Sequence, residues 1–244
     1  MSIRLSHVSK SYGGLKAVDD LSLEVPAGRV VAFLGPNGAG KTTTLKMTTG
    51  LLIPDAGTIE VCGCSMGRNG REAKARMAYV PDQPFLYEKL TASEFLRFVA
   101  DMYRIDPALA RRRTDELVER LDVARFIDQL AEGYSHGMKQ RVVLAAALLH
   151  DPDVLIVDEP MVGLDPRTVR TVKELFRERA TLGKTVFMST HTLDMVESLA
   201  DSIAIIHRGR LVAGGTLAEI QEQATRSKRL EDIFLELTEP DSRT

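Results

Sequence analysis

Eight consecutive residues, Gly35-Pro36-Asn37-Gly38-Ala39-Gly40-Lys41-Thr42, carry the chemistry that is easiest to read from this chain. They fit G-x-x-x-x-G-K-[ST], a loop that cradles phosphates. Glycines let backbone N–H groups close on an anion, and a helix beginning at the end of the loop adds partial positive charge. In that chemistry Lys41 reaches the β- and γ-phosphates and the Thr42 hydroxyl ligates Mg²⁺. A second acidic constellation follows at Val154-Leu155-Ile156-Val157-Asp158-Glu159-Pro160. The unbroken apolar run reads as a buried parallel strand, which sets two carboxylates at its C-terminal edge, where ligands of open α/β sheets bind. Asp158 would then hold the Mg²⁺ shell, and Glu159 would polarise an attacking water.

Four weaker positions join these. His191 lies just past a buried strand, Lys184 to Thr190, where a γ-phosphate contact is within reach. Tyr12, on a glycine-flanked loop, either stacks on a base or simply packs. Gln83, between Pro81 and Pro84, is either a neutral Mg²⁺ or water contact or a solvated loop residue. Ser135 is a good N-cap for the helix running through Val142 to Leu149, and Gly137 leaves its first turn open to close approach. An anion site and plain capping explain Ser135 equally well.

The elements that must position these groups alternate. Arg29 to Leu34 reads as the strand that delivers the phosphate loop, and Lys41 to Thr49 as the helix that leaves it. Thr58 to Val61 and Tyr79-Val80 are further strands, with a short helix over Glu72 to Ala78 between them. From Thr91 the pattern turns helical: Thr91 and Glu94 form a capping box, and Asp106 caps a helix with Pro107 in its first turn. We therefore expect a single α/β domain over 1–238, with a core lobe at 1–83 and 151–238, an inserted helical lobe at 84–150, and fraying at 239–244.

Composition bounds the rest. With 44% hydrophobic and 27% charged residues over 244 positions, the chain can bury a sizeable core and is not of the disordered class. A net charge of −2 gives no overall basic footprint for nucleic acid. No apolar run approaches the roughly 20 residues of a membrane span, and the start has no signal-peptide pattern. The expected place is the cytoplasm, unless a partner holds the chain at a membrane. Cys62 and Cys64, two apart on an expected strand, lack a nearby Cys/His pair for zinc and are expected as reduced thiols.

Taken in order, the phosphate loop, Tyr134-Ser135-His136-Gly137-Met138-Lys139-Gln140, Val157-Asp158-Glu159-Pro160, Gly163-Leu164-Asp165-Pro166 and Ser189-Thr190-His191 resemble the ATP-binding subunits of ABC transporters. The resemblance spans about Ile3 to Leu237. It implies a P-loop NTPase (RecA-like) core with a small antiparallel β subdomain and an inserted α-helical subdomain. It implies ATP and Mg²⁺ as ligands, with Tyr12 on adenine, Gly35 to Thr43 around the triphosphate, and Gln83 touching Mg²⁺ and water while signalling to a membrane partner. Asp158 would support Mg²⁺, Glu159 would be the catalytic base, and His191 would contact the γ-phosphate. Ser135, Gly137 and Asp165 would act across a head-to-tail dimer, with the same chain or a sister. His136 and Met138 depart from the usual Leu-Ser-Gly-Gly-Gln signature, which bears on dimer control more than on ATP use. The tail from Leu230 to Thr238 resembles exporter-type subunits, whose permease is a separate transmembrane chain and which sit at the cytoplasmic face of the membrane. The alternative is a soluble, non-transport ABC ATPase, for example one in iron–sulfur assembly. A phosphate-loop kinase or GTPase leaves Ser135-His136-Gly137 unexplained.

Overall fold

The fold is taken from a computed structural model that describes residues 1–223 and 229–238; the fraying expected at 239–244 lies outside the described residues. The chain opens with a long hairpin, β1 (Ile3–Tyr12) and β2 (Leu15–Val25), and then β3 (Val30–Leu34). The phosphate loop leads into α1 (Lys41–Thr48). A second hairpin, β4 (Ala56–Val61) and β5 (Cys64–Ser65), precedes α2 (Gly70–Ala75) and β6 (Met77–Val80). Three helices follow: α3 (Ala92–Met102), α4 (Pro107–Arg120) and α5 (His136–Leu149). The chain then alternates through β7 (Val154–Asp158), α6 (Pro166–Thr181), β8 (Thr185–Thr190) and α7 (Leu193–Leu199). It closes with a hairpin, β9 (Ser202–His207) and β10 (Arg210–Gly215), and two helices, α8 (Leu217–Gln223) and α9 (Leu230–Thr238).

Two sheets result. The smaller is antiparallel, in the order β2-β1-β4-β5; the larger runs β10-β9-β3-β8-β7-β6, parallel except for its edge strand β10. Side chains alternate across a strand, so the larger sheet divides the core in two. Val30, Ala32, Leu34, Leu155, Val157, Val186 and Met188 face a core shared with the helices α3 to α6. Val31, Phe33, Ile156 and Phe187 face a second core shared with the small sheet and α1. All five residues of β3 are buried. Such double-sided burial is why these strands read as unbroken apolar runs. Each fully buried Val, Leu or Phe contributes about 1.5–3 kcal/mol.

The helical stretch is set by local caps. Thr91 Oγ1 accepts from Glu94 N, and Glu94 Oε2 accepts from Thr91 N, the reciprocal capping box read from sequence. Asp106 Oδ1 accepts from Ala108 N and Leu109 N ahead of α4. Before Thr91 the backbone is irregular rather than helical, and Thr91 bridges Leu130. Asp151 ties this stretch to the rest, within 3.6 Å of Arg113 on α4, 3.2 Å of Arg179 on α6 and 2.6 Å of Lys184.

Three local expectations change. The helix expected over Glu72 to Ala78 is α2, which starts earlier and stops at Ala75 so that Met77 can join β6 beside Val154. Tyr12 is the last residue of β1 and pairs with Leu15, rather than lying on a loop. Cys62 is not on a strand: with φ 52° followed by Gly63 at 76°, it forms the tight turn between β4 and β5. Two successive positive φ values are what a two-residue hairpin turn demands. The two cysteines are free thiols.

Candidate functional site

The register of the large sheet brings the site together. Leu34 pairs with Thr190, and Asp158 pairs with Ser189, so β3, β7 and β8 end side by side. The phosphate loop, Glu159 and His191 therefore emerge at one carboxyl edge. A cleft of about 220 Å³ lies there, lined by Ala17, Asn37, Gly38, Gly40, Lys41, Thr42, Thr43, Asp82, Asp158 and Glu159.

The loop is held from both sides. Gly35 N donates to Thr190 O at 3.3 Å, and Gly209 N, in the turn after β9, donates to Ala39 O at 2.9 Å. A side chain is excluded at two of its glycines. A Cβ on Gly35 would stand 2.5 Å from Ile206 O, and one on Gly40 would stand 2.4 Å from Ala17 O. Gly40 also has φ 107°, a left-handed conformation that β-carbon sterics disfavour. It caps α1 with no side-chain acceptor, leaving the first-turn N–H groups for an anion.

Lys41 is 7% exposed and folds back on its own loop, donating to Gly35 O at 2.7 Å and Pro36 O at 3.2 Å. Its Nζ lies 3.8 Å from Glu159 Oε1. Burial lowers its pKa, an effect that the charges of Glu159 and Asp158 partly offset. Asp158 is 1% exposed. One carboxyl oxygen accepts from Ser189 Oγ, while Oδ2 is buried without a partner. A buried, unsatisfied carboxylate oxygen costs free energy unless something charged meets it. With the Thr42 hydroxyl exposed at the same cleft, these donors fit a hard divalent cation such as Mg²⁺. Among the described residues, no three His, Cys, Asp or Glu side chains are placed to hold a metal by themselves. Phosphate oxygens and water would have to complete the shell.

Glu159 has φ 47°, uncommon for a residue with a side chain, and its N–H donates to Ser189 O at 3.2 Å. The turn directs its carboxylate back across the cleft edge, where Oε1 lies 2.8 Å from His191 Nδ1 and Oε2 accepts from Thr190 Oγ1 at 3.3 Å.

Known proteins are similar to this chain in sequence and fold. The family model described as ABC transporter matches residues 18–162, from β2 past the acidic strand end. The chain belongs to the ABC transporter family. The Nod factor export ATP-binding protein I of Paraburkholderia xenovorans is 40% identical over 214 residues, covering 88% of this chain and 70% of that one. A solved ATP-binding subunit of an ABC transporter superposes with TM-score 0.93 at 34% identity, covering 98% of this chain and 100% of that one. A dimeric ATP-binding cassette in a post-hydrolysis state, bound to ADP and Pi, gives TM-score 0.80 at 26% identity, covering 88% of this chain and 98% of that one.

The remaining residues expected at a site from the sequence lie away from the cleft of this ABC cassette. Ser135 caps α5, accepting from Met138 N at 3.3 Å. Asp165 caps α6, with Oδ1 accepting from Arg167 N and Thr168 N and Oδ2 from Thr168 Oγ1 at 2.6 Å. The Thr168 hydroxyl and amide hydrogen bonds hold its carboxyl below the usual carboxylate range. The two helix starts touch. A Cβ on Gly137 would stand 2.5 Å from Gly163 O, and one on Gly163 would stand 2.6 Å from His136 Cδ2. Ser135, Gly137 and Asp165 thus form one surface, and none of them lines the cleft. Tyr12 is also outside it, 49% exposed, with Lys10 Nζ 6.0 Å from its ring centre.

Gln83 is exposed and does not line the cleft, where its neighbour Asp82 stands instead. Asp82 was not singled out from sequence; a carboxylate directly before the amide was its only signal.

Proposed function

We propose that this chain is the ATP-hydrolysing motor subunit of an ABC exporter, working at the cytoplasmic face of a membrane with a separate transmembrane permease. The observation that carries the reading is the phosphate loop with Lys41 facing Asp158 and Glu159 at one sheet edge. ATP lays its triphosphate along the N–H groups of Gly35 to Thr43. Lys41 trades its contacts with Gly35 O and Pro36 O for the β- and γ-phosphate oxygens. Thr42 and Asp158 Oδ2 would hold Mg²⁺, which would supply neutralisation of the triphosphate charge. Glu159 takes a proton from the attacking water at its carboxylate, held in place by His191 and Thr190, and His191 contacts the γ-phosphate. The exposed ring of Tyr12 stacks on adenine, independent of the phosphate cleft.

A second copy, or a sister chain, completes the site. Ser135 and Gly137 reach the γ-phosphate bound by the partner, with Asp165 across the same interface. The outward position of these residues supports that reading, as does the dimeric relative bound to ADP and Pi. Residues 84–150 act as a helical lobe on a core of 1–83 and 151–238, and Gln83 faces the membrane partner from the joint between them. Export is supported by the name of the Nod factor relative. Among the described residues, no helix is long and apolar enough to cross a membrane, so a membrane location depends on a partner.

A mild-detergent pull-down of the tagged chain from native membranes, with partners identified by mass spectrometry, tests this reading. A polytopic membrane protein at about equal stoichiometry is expected. A purely soluble partner set would move the function to the non-transport ABC ATPases.

A further inference from the structure

The phosphate cleft carries a charge that the motor reading leaves unused. Its lining has one cation, Lys41, against three carboxylates, Asp82, Asp158 and Glu159. Glu159 is engaged by His191, Thr190 and Lys41, and Asp158 by Ser189 through one oxygen. The Asp82 carboxylate has no hydrogen bond or ion pair among the described residues. An acidic cluster alone names no ligand. The buried Asp158 Oδ2, unpartnered on a residue 1% exposed at the same cleft, is the second observation, and it calls for a cation.

We propose that Asp82 makes the cleft selective for metal-loaded over metal-free nucleoside triphosphate. The inference rests on the ATP reading above and adds a residue to it. A free triphosphate entering the cleft meets the uncompensated charge of Asp82 and is repelled. A triphosphate carrying a divalent cation brings the charge that offsets it. Among the described residues no three acidic, histidine or cysteine side chains are placed to hold a metal unaided, so the ion is best recruited together with the phosphates. One unit charge several ångströms away, through an effective dielectric near 20, shifts binding by roughly tenfold or more. A neutral amide in the same place would not discriminate in this way.

The test is equilibrium binding of a fluorescent N-methylanthraniloyl-ATP to the full chain, in Mg²⁺ and in EDTA. The unaltered chain should favour the Mg²⁺ form. Asp82→Asn should bind the metal-free form roughly tenfold more tightly while the Mg²⁺ form changes much less, so that the ratio collapses. Asp82→Ser, a smaller neutral replacement, should do the same, and Asp82→Glu should restore the ratio. An unchanged ratio in both neutral variants, or a collapsed one in Asp82→Glu, overturns the role of Asp82 and leaves the ATP reading standing. No binding of either form by the unaltered chain overturns both.

Discussion

His191 Nδ1 lies 2.8 Å from Glu159 Oε1, the two residues arriving from the ends of adjacent parallel strands. The contact holds the carboxylate beside the phosphate loop, as the proposed role of general base requires. Glu159→Gln keeps the shape and removes the proton acceptor. Hydrolysis should fall about 10²–10⁴-fold while ATP binding is retained. Phosphate-release kinetics alongside nucleotide binding check this, and a trapped dimer in ATP should appear on size-exclusion chromatography. Full turnover would remove Glu159 from the mechanism.

Gly40→Ala addresses the loop itself. The new methyl group meets Ala17 O, and the backbone must also hold φ 107°. The expected cost is on the order of 2–4 kcal/mol of unfolding free energy, with loss of nucleotide binding. Urea denaturation without nucleotide reads the first effect. A midpoint equal to that of the unaltered chain would show that the Ala17 segment yields freely.

Gly137→Ala separates the two surfaces. Its methyl group would press on Gly163 O, forcing α5 away from the loop that leads to Asp165. Stability should fall by about 1–3 kcal/mol. Binding of ATP in the phosphate loop should survive, while hydrolysis falls at least roughly tenfold, because the proposed role of Gly137 is a contact made only in the transition state at the partner's site. A parallel loss of binding would place Gly137 in the first cleft instead.

His150 gives a pH signature unrelated to catalysis. It stacks on Tyr103 with ring centres 3.8 Å apart, and its Nε2 lies 3.2 Å from Met77 O. Burial pushes its pKa down from 6.5 to about 4, against the smaller upward pull of the Met77 carbonyl. The unfolded chain then binds the extra proton between these two values. Stability should be fully present above pH 6.5 and decline as pH falls toward 4. With a discount for partial exposure, the loss is about 1–2 kcal/mol. Chemical denaturation from pH 7 to 4 measures it, and His150→Phe should flatten that part of the curve.

Much of this protein could be read from neighbours in sequence. The capping box at Thr91 and Glu94, the Asp106 and Ser135 caps, and the buried strands depend on partners a few residues away or on an apolar run along one strand. Local geometry enforces such features wherever the segment is placed. The phosphate loop was legible from its residue spacing, although distant segments hold it in place. Even the acidic strand end was legible, because an apolar run that stops at Asp158-Glu159 has few other uses.

Tertiary structure decided what depends on segments far apart in the chain. Whether Asp82 or Gln83 faces the cleft turns on how the Pro81–Pro84 segment meets β7 and α1, and no local pattern encodes that choice. The same holds for the buried Oδ2 of Asp158, which is left without a partner while Ser189 of β8 meets the other oxygen and Thr190 turns to Glu159. It holds as well for the close approach of Gly137 and Gly163, 26 positions apart. Local sequence set residue types and element boundaries through short-range sterics and hydrogen bonds. Packing across the sheet determined which polar groups were left without partners, and those are the groups that a nucleotide and its metal would meet.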